Sequence, residues 1–111
     1  MAVGNYSEVS LPIKATATIT QNRGITFAGA VPAAGANGVA AVFGGVSGDL
    51  ITANVMGTAT VEAGAAFAVN VALEFDSVGR YVTKTSGATV ARSITAAAAA
   101  GDIVEALLIP N

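Results

Sequence analysis

Turn residues cut this chain into pieces of strand length, and the pieces alternate apolar and polar with a period of two. That combination constrains the fold more than any other feature. A helix buries a stripe of period 3.6, whereas a strand sends successive side chains to opposite faces. In "AAFAVNVALEFD" (65–76), Phe67, Val69, Val71, Leu73 and Phe75 share one parity, and Ala66, Ala68, Asn70, Ala72 and Glu74 share the other. The first set reads as a core face. The second is small and nearly flat, suited to lying close to another surface. "LITANVMGTATVEAG" (50–64) alternates in the same way, with Gly57 placed for a bulge or a hairpin corner. "KATATITQN" (14–22) sets Ala15, Ala17 and Ile19 against Thr16, Thr18 and Thr20, which predicts a further strand.

Shorter strands are expected at 25–31, within "GVAAVFG" (38–44), at 81–85 and at 89–95. Turn chemistry separates them: Asn22-Arg23-Gly24, Asn37-Gly38, Gly44-Gly45, Gly48-Asp49, "DSVGR" (76–80) and "SGA" (86–88). The run Ala96–Ala100 has helical propensity but is far too short to hold a helix alone, and Gly101 stops it. At most one helical turn is expected there, linking two antiparallel strands, with "DIVEALLIP" (102–110) paired inside the sheet. The fold class that follows is all-β: a compact β-sandwich or small β-barrel with short hairpins.

Residues 1–14, "MAVGNYSEVSLPIK", show little periodicity, and Pro12 blocks a central strand. They read as an extended N-terminal arm that orders on a partner. Tyr6, Leu11, Pro12 and Ile13 are its expected partner contacts. The chain divides on this reading into the arm and first strand at 1–24 and a single β-rich domain at 25–111.

The composition removes whole classes of function. There is no Cys, His or Trp, so disulfides, thiolate zinc sites and the commonest catalytic bases and nucleophiles are excluded. Glu74 and Asp76 lie two apart on one side of a strand but read as a strand end facing water or Arg80. Asp49 and Asp102 each follow a glycine and read as turn residues, without the oxygen-ligand spacing of a calcium loop. The glycine-rich stretch 32–49 lacks the Lys-Ser/Thr of a phosphate loop. "GDLITANVMGTATVEAGAAF" has the paired short strands of a lipoyl carrier but no lysine at a hairpin tip. No catalytic residue, metal site or cofactor is expected, and the chain is not read as an enzyme.

Lys14, Arg23, Arg80, Lys84 and Arg92 are scattered, and the net charge is −2, so no basic patch for nucleic acid is formed by sequence clustering. No apolar window is long enough for a membrane helix, and no basic leader precedes an apolar stretch. Only 11% of residues are charged, against about a quarter in ordinary globular domains. So weakly charged a surface suits a protein covered by neighbours, because few charges need to be desolvated.

The stretches "VEAGAAFAVN" (61–70), "GRYVTKTSG" (79–87) and "ARSITAAAAAGDIVEALLI" (91–109) fall in an order that resembles the small head decoration, or capsid cement, proteins of tailed bacteriophages. In that family a glycine-led strand, a short hairpin, an alanine-rich link with Gly-Asp and a last apolar strand follow one another. The penultimate strand often opens there with an apolar residue and Gly, where this chain has Ala91-Arg92. The resemblance implies a virion protein, made in the host cytoplasm, that binds the outer surface of the expanded capsid. Its partner would be the major capsid protein, whose neighbouring subunits it would cement against internal DNA pressure. Self-association is implied as well, a trimer first and a dimer as the alternative. A second expectation is a β-sandwich adhesin or fibre module binding host glycans, which needs exposed aromatic rings.

Overall fold

A computed structural model describes the backbone from Ser7 to Asn111 and side chains from Val9 onward. Eight strands follow in order: β1 (Ser7–Lys14), β2 (Gly24–Ile25), β3 (Val39–Ala41), β4 (Leu50–Glu62), β5 (Ala72–Phe75), β6 (Tyr81–Thr83), β7 (Ala91–Ser93) and β8 (Ile103–Leu108). No helix occurs among the described residues. The strands form one antiparallel sheet in the order β2-β3-β4-β8-β7-β5-β6, with β1 added to β4. The two ends of that order meet. Gly24 donates its N–H to Gly79 at 2.8 Å, and Gly64 donates to Tyr81 at 2.7 Å beside a parallel Ala63–Tyr81 bridge. The sheet is thereby nearly closed into a small barrel.

β4 organises the molecule. Its first half pairs with β1 and β3, and from Thr58 onward it pairs with β8. Gly57, at φ 101°, marks the change, and the β1 register shifts beside it. A glycine is needed because other residues are strained at that φ. The expected irregularity at Gly57 is thus a bend within one 13-residue strand. On either side of it lie two apolar cores. The larger holds Val61, Phe67, Leu73, Phe75, Tyr81 and Val104, with the Phe75 and Tyr81 rings edge to face at 5.0 Å. The smaller holds Ile13, Ala15, Ile19, Ile25, Ile51 and Ala53.

The described half of the expected arm is extended, but it is a strand of the body. Residues 7–14 pair with β4 over almost their whole length, and Ile13 is buried opposite Ile51. Pro12 is tolerated there for a geometric reason. Thr52, its partner, turns its carbonyl to the Val42 N–H (2.9 Å) on the β3 side. Pro12 therefore directs its backbone away from β4, to the edge where no ladder hydrogen bond is lost.

The expected strand at 14–22 keeps its alternation without its pairing. Ala15 and Ile19 are buried and Thr16, Thr18 and Thr20 are exposed, but past Lys14, the last residue of β1, the segment makes scattered contacts and no continuous ladder: Ala15 with Asp49, a bridge from Ile19 to Gly45, and Asn22 with Ala41 and Glu62. The strand expected at 25–31 stops at Ile25, because Thr26 and Ala30 close a turn that leaves Phe27 outside. The long strand expected at 65–76 is cut to Ala72–Phe75 by a turn at Val69-Asn70, where Asn70 takes φ 64°. Val69 is consequently exposed while Phe67, Leu73 and Phe75 stay inside.

The alanine run forms no helical turn. Ala97 bridges to Phe67, and the following turn is fixed by Asp102, whose Oδ2 accepts the N–H groups of Ala98 (2.8 Å) and Ala99 (3.1 Å). The run does link two antiparallel strands, β7 and β8, and β8 lies inside the sheet between β4 and β7.

Candidate functional site

A groove of about 240 Å³ opens where β4 bends. Val55 and Met56 supply its floor from the bend, Gly38 and Val39 come from the start of β3, Phe27 from the turn after β2, and Pro110 and Asn111 from the segment after β8. Its lining is almost wholly apolar. The Asn111 carboxamide fixes one wall by pairing with Gly38 as a second strand would. Oδ1 accepts the Gly38 N–H at 2.9 Å, and Nδ2 donates to the Gly38 carbonyl at 3.0 Å.

Large apolar side chains reach solvent at the groove, where Phe27 and Met56 line it, along β1, and apart from it at Phe43 and Leu50. Phe27 is 67% exposed, Phe43 58%, Leu50 72% and Met56 46%. Val9 sits opposite Met56 in the ladder, and Leu11 lies further along β1. Of the four expected contacts, Leu11 and Pro12 are exposed on β1, Ile13 is in the smaller core, and Tyr6 lies outside the described residues. The groove residues escape a linear reading because they come from four separate segments. Exposed Phe27 is the one local sign, as an aromatic residue at the tip of a Gly-containing turn.

The charged groups are mostly engaged within the chain. Arg23 Nε meets Glu62 Oε1 at 3.0 Å, and Arg80 Nε meets Asp76 Oδ2 at 3.1 Å. Asp76 Oδ1 also accepts the N–H groups of Val78 and Arg80. Asp49 accepts the Val46 N–H, and Asp102 holds its turn. Glu74 is buried: its Oε1 takes the N–H groups of Thr85 (2.6 Å) and Gly87 (3.1 Å). Those bonds, that from Thr85 foremost, hold its carboxyl below the usual range. Glu74 thus faces loop amides while Asp76 faces Arg80, so the two share no acid–base geometry. Glu105 is also buried, in β8. Among the described residues, no group of three His, Cys, Asp or Glu side chains is placed to hold a metal ion. This geometry offers an apolar, sparsely charged surface for another protein.

Comparison with known proteins agrees. The model of the phage cement protein family matches residues 3–108, and the chain belongs to that family. It is accordingly a structural protein of the phage capsid, located in the virion. Among solved structures, it is similar to the N base of head fiber gp8.5 in bacteriophage phi29. The identity is 20% over 91% of this chain and 93% of that one, with a TM-score of 0.70, a likeness of fold. Nothing among curated proteins matches the chain.

Proposed function

We propose that the protein binds the outer surface of the expanded phage head and cements neighbouring major capsid subunits against the pressure of packaged DNA. The observation that carries this reading is the set of large apolar side chains left in solvent, Phe27, Phe43, Leu50 and Met56, on a body with few free charges. Burying such side chains against a coat subunit is favourable by about 1.5–3 kcal/mol each. Many modest contacts repeated over a shell act together through multivalency. A protein that binds only the expanded arrangement stabilises it by linkage. Leu11 and Pro12, exposed on β1, are taken as contacts, Tyr6 is kept as a further one outside the described residues, and Ile13 is held in the smaller core. Self-association as a trimer would place several copies of this surface on adjacent coat subunits.

The test is co-sedimentation with heads stripped of decoration. Saturable binding to expanded heads, and none to unexpanded ones, is expected. Absence of binding to both would overturn the reading. The exposed Phe27 and Phe43 rings also suit a glycan-binding module, since sugars stack on such faces. Specific signals on a glycan array, lost in Phe27→Ala or Phe43→Ala, would favour that second reading.

A further inference from the structure

Asn37 is the one asparagine of the chain that glycine follows. Such a pair is chemically reactive. The backbone nitrogen of the glycine can attack the asparagine side-chain carbonyl, because no Cβ crowds the approach and the glycine backbone turns freely. Asn22, Asn54 and Asn70 precede Arg23, Val55 and Val71, whose side chains stand in the way. Asn37 also has room to react. It is exposed, in the irregular segment before β3, at the lip of the groove.

The nucleophile, however, is held. The Gly38 N–H is donated to Asn111 Oδ1 at 2.9 Å, and the Gly38 carbonyl accepts from Asn111 Nδ2 at 3.0 Å. Nδ2 also donates to the Ile109 carbonyl at 2.9 Å, which keeps the carboxamide in place. Gly38 precedes the first ladder residue of β3, so the sheet does not fix its N–H and the carboxamide does. Bonding and reaction exclude each other. The Gly38 N–H must leave Asn111 before its nitrogen can reach Cγ of Asn37. Once a ring has closed, that nitrogen carries no hydrogen to give back.

We propose that Asn37-Gly38 is a site of spontaneous deamidation and that the Asn111 carboxamide is the clamp restraining it. The Gly38 nitrogen gives its proton to solvent and bonds to Cγ of Asn37. The side-chain nitrogen takes up a proton and leaves as ammonia, and a succinimide ring remains. Water then adds to one ring carbonyl and breaks its bond to nitrogen. Opening at Cγ gives aspartate. Opening at the main-chain carbonyl gives isoaspartate, whose backbone is longer by one methylene. Water is the only co-reactant. Either product places a carboxylate at the lip of an almost wholly apolar groove, and isoaspartate also displaces Gly38 from Asn111. The clamp therefore sets the lifetime of the native groove wall, whatever the groove binds.

The experiment incubates the full chain at mildly alkaline pH and follows each asparagine by tandem mass spectrometry of its peptides. The variants are Asn111→Ala and Asn111→Ala combined with Asn37→Gln, both at exposed positions. In the parent chain unfolded by denaturant, Asn37 is expected to convert first. The folded parent should convert more slowly. Asn111→Ala should convert at Asn37 roughly tenfold faster than the folded parent, in keeping with the net worth of the hydrogen bonds removed. The accompanying ammonia release should disappear in the double variant, because glutamine does not close the same ring readily. Amide hydrogen exchange gives a readout independent of the reaction: Gly38 should exchange slowly in the parent and quickly in Asn111→Ala. Fast exchange confined to the neighbourhood of Gly38 supports the clamp, whereas fast exchange spread through β4 and β8 would assign the acceleration to general unfolding and overturn it. Equal conversion of Asn37 in the folded parent and in Asn111→Ala would also overturn the clamp. No preference for Asn37 in the unfolded chain would overturn the site itself.

Discussion

At Glu74 one carboxylate holds the 84–88 loop against the barrel. Its folded pKa is depressed below 4.5 by hydrogen bonds to the ionised form. That contribution is complete above the unfolded value and is lost as pH falls through the lower folded one. Glu74→Gln is therefore expected to lower the melting temperature at pH 7. It should also flatten the fall in melting temperature as pH drops below about 4.5, measured by thermal melts between pH 7 and pH 3. The loop depends equally on Gly87, since a Cβ there would run into the Gly35 backbone. Tyr81 presents the opposite case. Burial pushes its phenol upward in pKa, and its hydroxyl has no hydrogen-bond partner among the described residues. An unpartnered buried hydroxyl costs about 1–3 kcal/mol, so Tyr81→Phe should hold or raise stability in a denaturant melt. A clear loss would show that the hydroxyl is satisfied after all. Neither residue announces its role in the sequence. Glu74 stands on the face that alternation assigns to the outside, and only the folding back of the 84–88 loop buries it.

Among the elements, β4 and the β7–β8 link show what a sequence reveals and what it withholds. Alternation assigned Ile51, Ala53, Ala59 and Val61 to one side correctly, and all four are buried. The glycine in their middle announced the irregularity. What alternation lacks is the pairing partner, so 14–22 reads as a strand although past Lys14 it makes an isolated bridge at Ile19 and scattered backbone hydrogen bonds and no continuous ladder. Nor does it show a left-handed turn at a residue other than glycine, and Asn70 accordingly cut the longest expected strand. For the alanine run, propensity lost to two hydrogen bonds that its own N–H groups donate to a neighbouring carboxylate. Asp102→Ala is expected to destabilise the link by about 1–3 kcal/mol, read by chemical denaturation, since a charged acceptor serves two backbone donors there. A change below a few tenths would mean that the β7–β8 pairing sets the link without it.

For the whole molecule, the pairing of β1 with β4 and the seating of Ile13 in the smaller core place residues 7–14 in the body. Their removal would strip Ile13 from the smaller core and leave Ile51 and Ala53 without cover. Loss of a buried isoleucine alone typically costs about 2–5 kcal/mol. A chain lacking residues 1–14 is thus expected to melt well below the full chain, whatever its affinity for heads. A chain lacking only residues 1–6 is the cleaner probe of Tyr6. The exposed groove was illegible in advance because closure brings Phe27, Val39, Met56 and Pro110 together from distant parts of the chain. Sparse charge and abundant small residues did indicate a surface for neighbours, and the family match over residues 3–108 agrees with that class. Cementing, as proposed, is mechanical: bound copies strengthen the shell. The most direct measurement is the temperature at which DNA-filled, stripped heads release their DNA to an external dye, with and without saturating protein. A release temperature that rises with occupancy and levels off at saturation is expected. An unchanged release temperature at full occupancy would contradict cementing, even if binding itself were tight.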